Sequence, residues 1–193
     1  NLQTLRGSLL LNEPMRKHTS WKIGGAAERM YIPADIDDLS LFLSSLPESE
    51  PLIFIGLGSN LLVRDGGIEG TVISFNGSLA TIELLADNRI RAGAGVSCAK
   101  LSRFCNRNKL LGGEFFAGIP GLLGGALAMN AGAFGGETWA VVDTVTTIDR
   151  AGNIYTRNKE DYMIGYRTVK GHENEWFVSA TIHLQPGDGE QAA

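Results

Sequence analysis

Polar and apolar positions alternate along Glu28-Arg29-Met30-Tyr31-Ile32-Pro33, which predicts a short strand closed by proline. Asp35 then stands where a helix N-cap belongs, with Asp37 and Asp38 as acids in the first turn. Ile36, Leu39, Leu43 and Leu46 recur at helical spacing until Pro47 ends the run. Leu52-Ile53-Phe54-Ile55 is an unbroken apolar run of buried-strand type entering Gly56-Leu57-Gly58-Ser59-Asn60. Thr71 to Phe75 is a further strand, reached through Asp65-Gly66-Gly67. The opening stretch to His18 has no dominant period and stays unassigned.

A second unit is expected after Asn76-Gly77. Residues 80–85 and 89–92 bracket Asp87-Asn88, a hairpin pattern. Ser97 can cap a helix running to about Lys109, with Leu101, Phe104 and Cys105 facing inward. Residues 141–149 and 176–184 read as long strands, with a short one near Ile154-Tyr155. The fold class is α+β. The expected division is residues 1–76, residues 77–185 and a polar tail over 186–193.

Composition narrows the function classes. Of 193 residues, 25 are glycine, without a Gly-X-Y period and with only 6 prolines, so collagen and low-complexity disorder are excluded. A net charge of −4 argues against a nucleic-acid partner but leaves phosphorylated small molecules open. No apolar run has the length of a membrane span, and the first residues lack a signal-peptide layout. The start on Asn and the abrupt end suggest a trimmed chain. Cys98 and Cys105 lie on one expected helix, too far apart along its axis for a disulfide. They read as core residues, and a cytoplasmic location is expected. His18, His172 and His183 are scattered, so no metal site is expected; Asp37, Asp38 and Asp161 fit helix caps or solvated faces.

Glycine after a buried strand removes the Cβ atoms that keep a ligand from the backbone, and successive N–H groups can face an anion. Gly56-x-Gly58-Ser59-Asn60 is therefore a phosphate-loop candidate, or a tight turn needing positive φ. It is neither a Rossmann fingerprint, since Leu61 stands where the third glycine belongs, nor a Walker loop. The second cluster, Gly112 to Gly136, holds nine glycines in 25 residues. It reads as a strand-exit loop whose backbone packs on something flat or bulky. Two such loops could grip the two ends of one nucleotide. Tyr166-Arg167 is either a surface pair or a functional one.

Five motifs occur in order: Thr19-Ser20-Trp21-Lys22-Ile23-Gly24-Gly25; Gly58 to Gly67; Ala117-Gly118-Ile119-Pro120-Gly121 with Gly124-Gly125; Met129-Asn130-Ala131-Gly132-Ala133; and Gly165-Tyr166-Arg167. The series resembles the MurB family, the UDP-N-acetylenolpyruvoylglucosamine reductases of bacterial peptidoglycan synthesis. The resemblance implies the two-subdomain FAD-binding fold of the vanillyl-alcohol-oxidase/PCMH type, with FAD between the subdomains. It places Gly58, Ser59, Asn60 and Leu61 along the pyrophosphate. Gly118, Ile119, Pro120, Gly121, Gly124 and Gly125 would approach the rest of the cofactor, and Asn130, Ala131 and Gly132 would share that wall. Thr19 matches an early family threonine.

The implied chemistry is hydride transfer from NADPH through FAD to the enolpyruvyl ether of a UDP-sugar. Arg167 matches the family's catalytic arginine, facing the substrate carboxylate, with Tyr166 beside it in the substrate cleft. The family's third, C-terminal domain, which brings a serine proton donor and a glutamate, has no counterpart after Leu184. The chain is thus expected to be the FAD-binding fragment, monomeric, binding FAD without completing the reaction. The alternatives are a non-catalytic flavin- or nucleotide-binding module, or another FAD oxidoreductase of the same fold.

Overall fold

The computed structural model describes residues 4–56 and 63–187. By packing, the chain divides into two units, residues 1–79 with 148–154, and residues 80–147 with 155–193.

The first unit carries β1 (Ser8–Pro14), β2 (Ala26–Ile32), α1 (Ile36–Ser45), β3 (Leu52–Ile55) and β4 (Ile68–Ser74). They form a four-stranded sheet in the order β1-β2-β4-β3. β1 runs antiparallel to β2, while β4 is parallel to both β2 and β3. Residues 70 to 74 of β4 are all buried, because the strand lies between two others and is covered on both faces. That is why residues 70–74 show no alternation of buried and exposed positions, and why Thr71 and Ser74 are buried with their apolar neighbours. Met30 pairs with Val72 and Tyr31 with Ile73, so successive residues feed opposite faces. One face meets Met15, Ala27 and Ile55; on the other, Tyr31 stacks on Phe42 of α1 at 3.8 Å between ring centres.

Helix α1 starts where expected: the Asp35 carboxylate accepts from the Asp38 N–H at 2.8 Å. Asp38, read from sequence as a first-turn or solvated acid, is instead 2% exposed. Its Oδ2 accepts from the Tyr31 hydroxyl (2.7 Å) and the Ala34 N–H (2.9 Å), and its Oδ1 from the Arg6 N–H (2.7 Å). Burial alone would raise its pKa, yet these donors hold it below the usual carboxylate range. Burial and the neighbouring carboxylate push Tyr31 up to about 12. β1 was not legible because most of its residues are exposed and do not alternate.

Residues 148–154 complete this unit. The Ser40 hydroxyl donates to the Gly152 carbonyl, and the Arg150 guanidinium to the carbonyls of Pro47 and Glu50. Gly152, at φ +88°, lies so close to the Ser40 backbone that a Cβ would collide with it.

The second unit contains β5 (Ile82–Leu84), β6 (Arg89–Gly93), α2 (Cys98–Arg107), β7 (Leu110–Leu111), α3 (Leu123–Met129), β8 (Gly132–Ala133), β9 (Gly136–Glu137) and α4 (Thr138–Val141). After these come β10 (Val142–Asp149) and β11 (Ile154–Asn158), whose facing ends at 148–149 and 154 count with the first unit, then β12 (Met163–Gly165), β13 (Thr168–Lys170), β14 (Glu175–His183) and β15 (Gln185–Pro186). The main sheet runs β11-β10-β14-β6-β5. The β5–β6 turn holds Asp87 and Asn88 at φ +57° and +58°, the mirror-image turn that suits a twisted hairpin. The Ser97 hydroxyl caps α2 by accepting from the Lys100 N–H at 3.2 Å. Leu101, Phe116, Leu123, Leu127, Trp139 and Ile182 are fully or almost fully buried in its core.

Cys98 and Cys105 are free and buried in that core, where burial pushes both thiols up to about 12. Buried and protonated, such thiols are poor nucleophiles. No helix among the described residues is long and apolar enough to cross a membrane.

Candidate functional site

The glycine-rich stretch 112–136 is not an open loop. It contains a 3-10 turn (Glu114–Gly118), helix α3 and the small β8–β9 hairpin. Glycine density hid the helix because two of its first three residues are Gly124 and Gly125, which have low intrinsic propensity. Tertiary contacts supply what propensity lacks. The N–H groups of Leu123 and Gly124 donate to the carbonyls of Val96 (2.8 Å) and Ala94 (2.9 Å), and the Cys98 N–H donates to the Gly121 carbonyl at 2.9 Å. A Cβ on Gly124 would sit 3.1 Å from that of Ala94.

Several of these glycines are therefore explained by the chain's own packing. The flat surface on Gly118 is the ring of Phe134, 2.5 Å from where a Cβ would stand, and Gly136 is covered by the ring of Phe115. A Cβ on Gly132 would approach the Gly136 carbonyl to 2.6 Å. Gly121 and Gly125 differ. Among the described residues, and apart from the adjoining backbone, nothing lies within 4 Å of a Cβ at either position. Gly121, at φ +143°, is required by its backbone, whereas no contact among the described residues requires glycine at 125. Beside them Pro120 is exposed and Ile119 buried. A Cβ-free surface of this kind lets a flat ligand approach the backbone. It suits a flat ligand better than a phosphate, since the nearby Leu123 and Gly124 N–H groups are already bonded.

Asn130 ends α3 in the left-handed conformation at φ +47° and is 4% exposed. Its Nδ2 donates to Glu137 Oε2 at 2.9 Å and to the Gly165 carbonyl at 3.1 Å, while its Oδ1 accepts from the Trp139 N–H at 3.0 Å. Next to it, the Ala131 N–H donates to the Ala126 carbonyl, and the Ala131 carbonyl accepts from both the N–H and the hydroxyl of Thr138. The Asn130 amide is directed into the protein, so only its backbone is available to a ligand wall.

Tyr166 and Arg167 form the tip of the hairpin between β12 and β13, where Gly165 pairs with Thr168. Arg167 has φ +49°. Tyr166 is 86% exposed, and the Arg167 guanidinium lies 5.6 Å from the centre of its ring. Among the described residues no carboxylate forms an ion pair with Arg167.

In the first unit, the segment carrying Thr19 packs backbone to backbone on the segment following residue 62. Thr19 is buried and its hydroxyl donates to the Ile23 carbonyl at 3.4 Å. The N–H groups of Gly25 and Gly67 both donate to the Arg64 carbonyl, at 3.0 and 2.9 Å. A Cβ on either glycine would strike the other segment's backbone. Gly56 follows β3 and is half-buried. Gly58, Ser59, Asn60 and Leu61 lie outside the described residues.

The FAD binding domain family matches residues 27–157. A reductase from Legionella pneumophila (strain Corby), named UDP-N-acetylenolpyruvoylglucosamine reductase, is 57% identical over 185 residues, 96% of this chain and 60% of its own length. The chain thus spans about 60% of the curated relatives it matches. The crystal structure of the same reductase (MurB) from Thermus caldophilus superposes with a TM-score of 0.79 at 26% identity, covering 97% of this chain and 65% of that one. Cholesterol oxidase from B. sterolicum shares the fold at a TM-score of 0.67 and 16% identity, covering 93% and 38%. The fold is accordingly the α+β FAD-binding fold of the vanillyl-alcohol-oxidase/PCMH type expected from the motifs. The match of residues 27–157 establishes that this chain belongs to the FAD binding domain family, with FAD as its cofactor.

Proposed function

We propose that these residues are the FAD-holding part of a UDP-N-acetylenolpyruvoylglucosamine reductase, with NADPH as hydride donor and the enolpyruvyl ether of a UDP-sugar as acceptor. The observation that carries the reading is Arg167, an exposed guanidinium without a carboxylate partner among the described residues, on a hairpin anchored by a buried side chain. FAD, when bound, accepts a hydride from one partner and passes it to another. Residues 1–76 and 77–185 are assigned as its two binding subdomains.

In this reading Gly118, Ile119, Pro120, Gly121, Gly124 and Gly125, with the backbone of Asn130, Ala131 and Gly132, form one wall against the cofactor. Gly56, Gly58, Ser59, Asn60 and Leu61 hold its pyrophosphate. Arg167 binds the substrate carboxylate through its planar fork and stabilises negative charge developing on oxygen during transfer. Tyr166 lies beside it in the substrate cleft and limits where the guanidinium can go. A monomer in the cytoplasm is the proposed setting.

Arg167→Ala in the gene product containing this chain tests the assignment. Turnover should fall by about 10²–10³, with flavin absorbance after gel filtration unchanged. Loss of bound flavin would show Arg167 to be structural. Unchanged turnover would remove the reductase reading of this hairpin.

A further inference from the structure

The β12–β13 hairpin is exposed along much of its length: Met163, Tyr166, Arg167 and Thr168 all face solvent. Its tip backbone includes a left-handed arginine, a conformation unfavourable for a long side chain. Something must hold such a tip in one place if its guanidinium is to meet a substrate in a fixed geometry. The buried side chain of Asn130 reaches it across 35 residues of sequence, at the Gly165 carbonyl one peptide short of the tip.

We propose that Asn130 is a positioning residue for Arg167. This rests on the role given to Arg167 above. Three features suit Asn130 to the task. Its left-handed backbone at the end of α3 favours Asn over most residues and aims the side chain at the hairpin. Its amide can donate two hydrogen bonds and accept as well, so one group ties Gly165, Glu137 and Trp139 together. Glu137 accepts one amide proton, which orients Nδ2, rather than Oδ1, toward the Gly165 carbonyl. Glu137 is therefore a positioning residue behind Asn130. Loosening such a contact by an ångström is enough to cost catalysis heavily while leaving the cofactor in place.

The test is the exchange Asn130→Asp with Glu137→Gln. The pair keeps its charge, the introduced carboxylate still accepts from the Trp139 N–H, and the introduced glutamine amide can donate to it. The donation to the Gly165 carbonyl is lost, and a carboxylate oxygen faces that carbonyl in its place. Flavin retention should stay within about twofold. The initial rate of tryptic cleavage after Arg167, relative to cleavage after Arg107 in α2, should rise about tenfold, and kcat should fall about tenfold with KM for NADPH unchanged. Glu137→Gln by itself keeps the Gly165 bond and should change the cleavage ratio less than the exchange does. Should the exchange fail to fold, Asn130→Gly keeps the left-handed backbone without a side chain, and the same shifts are expected.

A wild-type cleavage ratio in the folded variant overturns the proposal. So does a raised ratio with unchanged kcat while Arg167→Ala abolishes turnover. A raised ratio with full turnover in both variants strikes instead at the role of Arg167.

Discussion

Each unit gathers distant backbone around one buried polar side chain, and the two side chains are chemically different. Asp38 in the first unit is a charge that only accepts: three donors from Arg6, Tyr31 and Ala34 converge on it. Asn130 in the second is neutral, and it donates twice and accepts once. A carboxylate gives stronger bonds, but its hold depends on pH. An amide gives weaker ones; it does not itself titrate and can discriminate a carbonyl from an N–H. The charged centre lies among the segments that build the first unit's helix entry. The neutral one supports an exposed hairpin on which chemistry is proposed. Strength serves the fold, and direction serves the site.

That contrast can be broken by experiment. Asp38→Ala leaves the Tyr31 hydroxyl and the N–H groups of Arg6 and Ala34 without their acceptor, and about 3–5 kcal/mol of stability should be lost in urea unfolding. A cost below about 1 kcal/mol would mean that water replaces the carboxylate freely. Asn130→Ala should cost less, about 2–3 kcal/mol, from unpaired neighbours and a strained left-handed alanine.

Acid separates the two centres. Asp38 is held below its ordinary pKa in the folded chain, so its contribution is complete above the unfolded value of about 4 and fades as pH falls through the folded one. Asp38→Asn should therefore lose more stability at pH 7 than at pH 3, whereas the cost of Asn130→Ala, whose amide does not titrate, should change less between the two. Equal pH dependence in the two variants would show that their protonation behaviour does not distinguish them.

The smallest effect is expected at Gly125. Its Cβ position is open and its backbone is ordinary, so Gly125→Ala should stabilise the flavin-free protein by about 0.5–1 kcal/mol through helix propensity. The same change should weaken FAD retention. Stabilisation with undiminished flavin binding would show that the cofactor does not touch this surface.

Much of the fold was legible because its signals are local. Asp35 and Ser97 cap helices through atoms three residues away, and Asp87-Asn88 adopts the turn its dipeptide favours. β1 was hidden because its side chains are largely exposed, and α3 because long-range bonds to Ala94 and Val96, rather than its own sequence, hold it. Tyr166-Arg167 stood out as a pair, yet its support did not. Asn130 was read as part of a ligand wall; the bonds of its side-chain amide to Gly165, Glu137 and Trp139 were not read, because only folding brings these groups together.

The return of residues 148–154 to the first unit bears on how the chain is made. A ribosome delivers Ser40 and Glu50 long before Arg150 and Gly152, and those pairs cannot form until most of the second unit has also emerged. The amino-terminal unit is thus first to be synthesised but not first to be finished. A nascent chain stalled before Ile148 should expose the edge of α1 that Gly152 later covers, making that edge a place for chaperones to bind and proteases to cut.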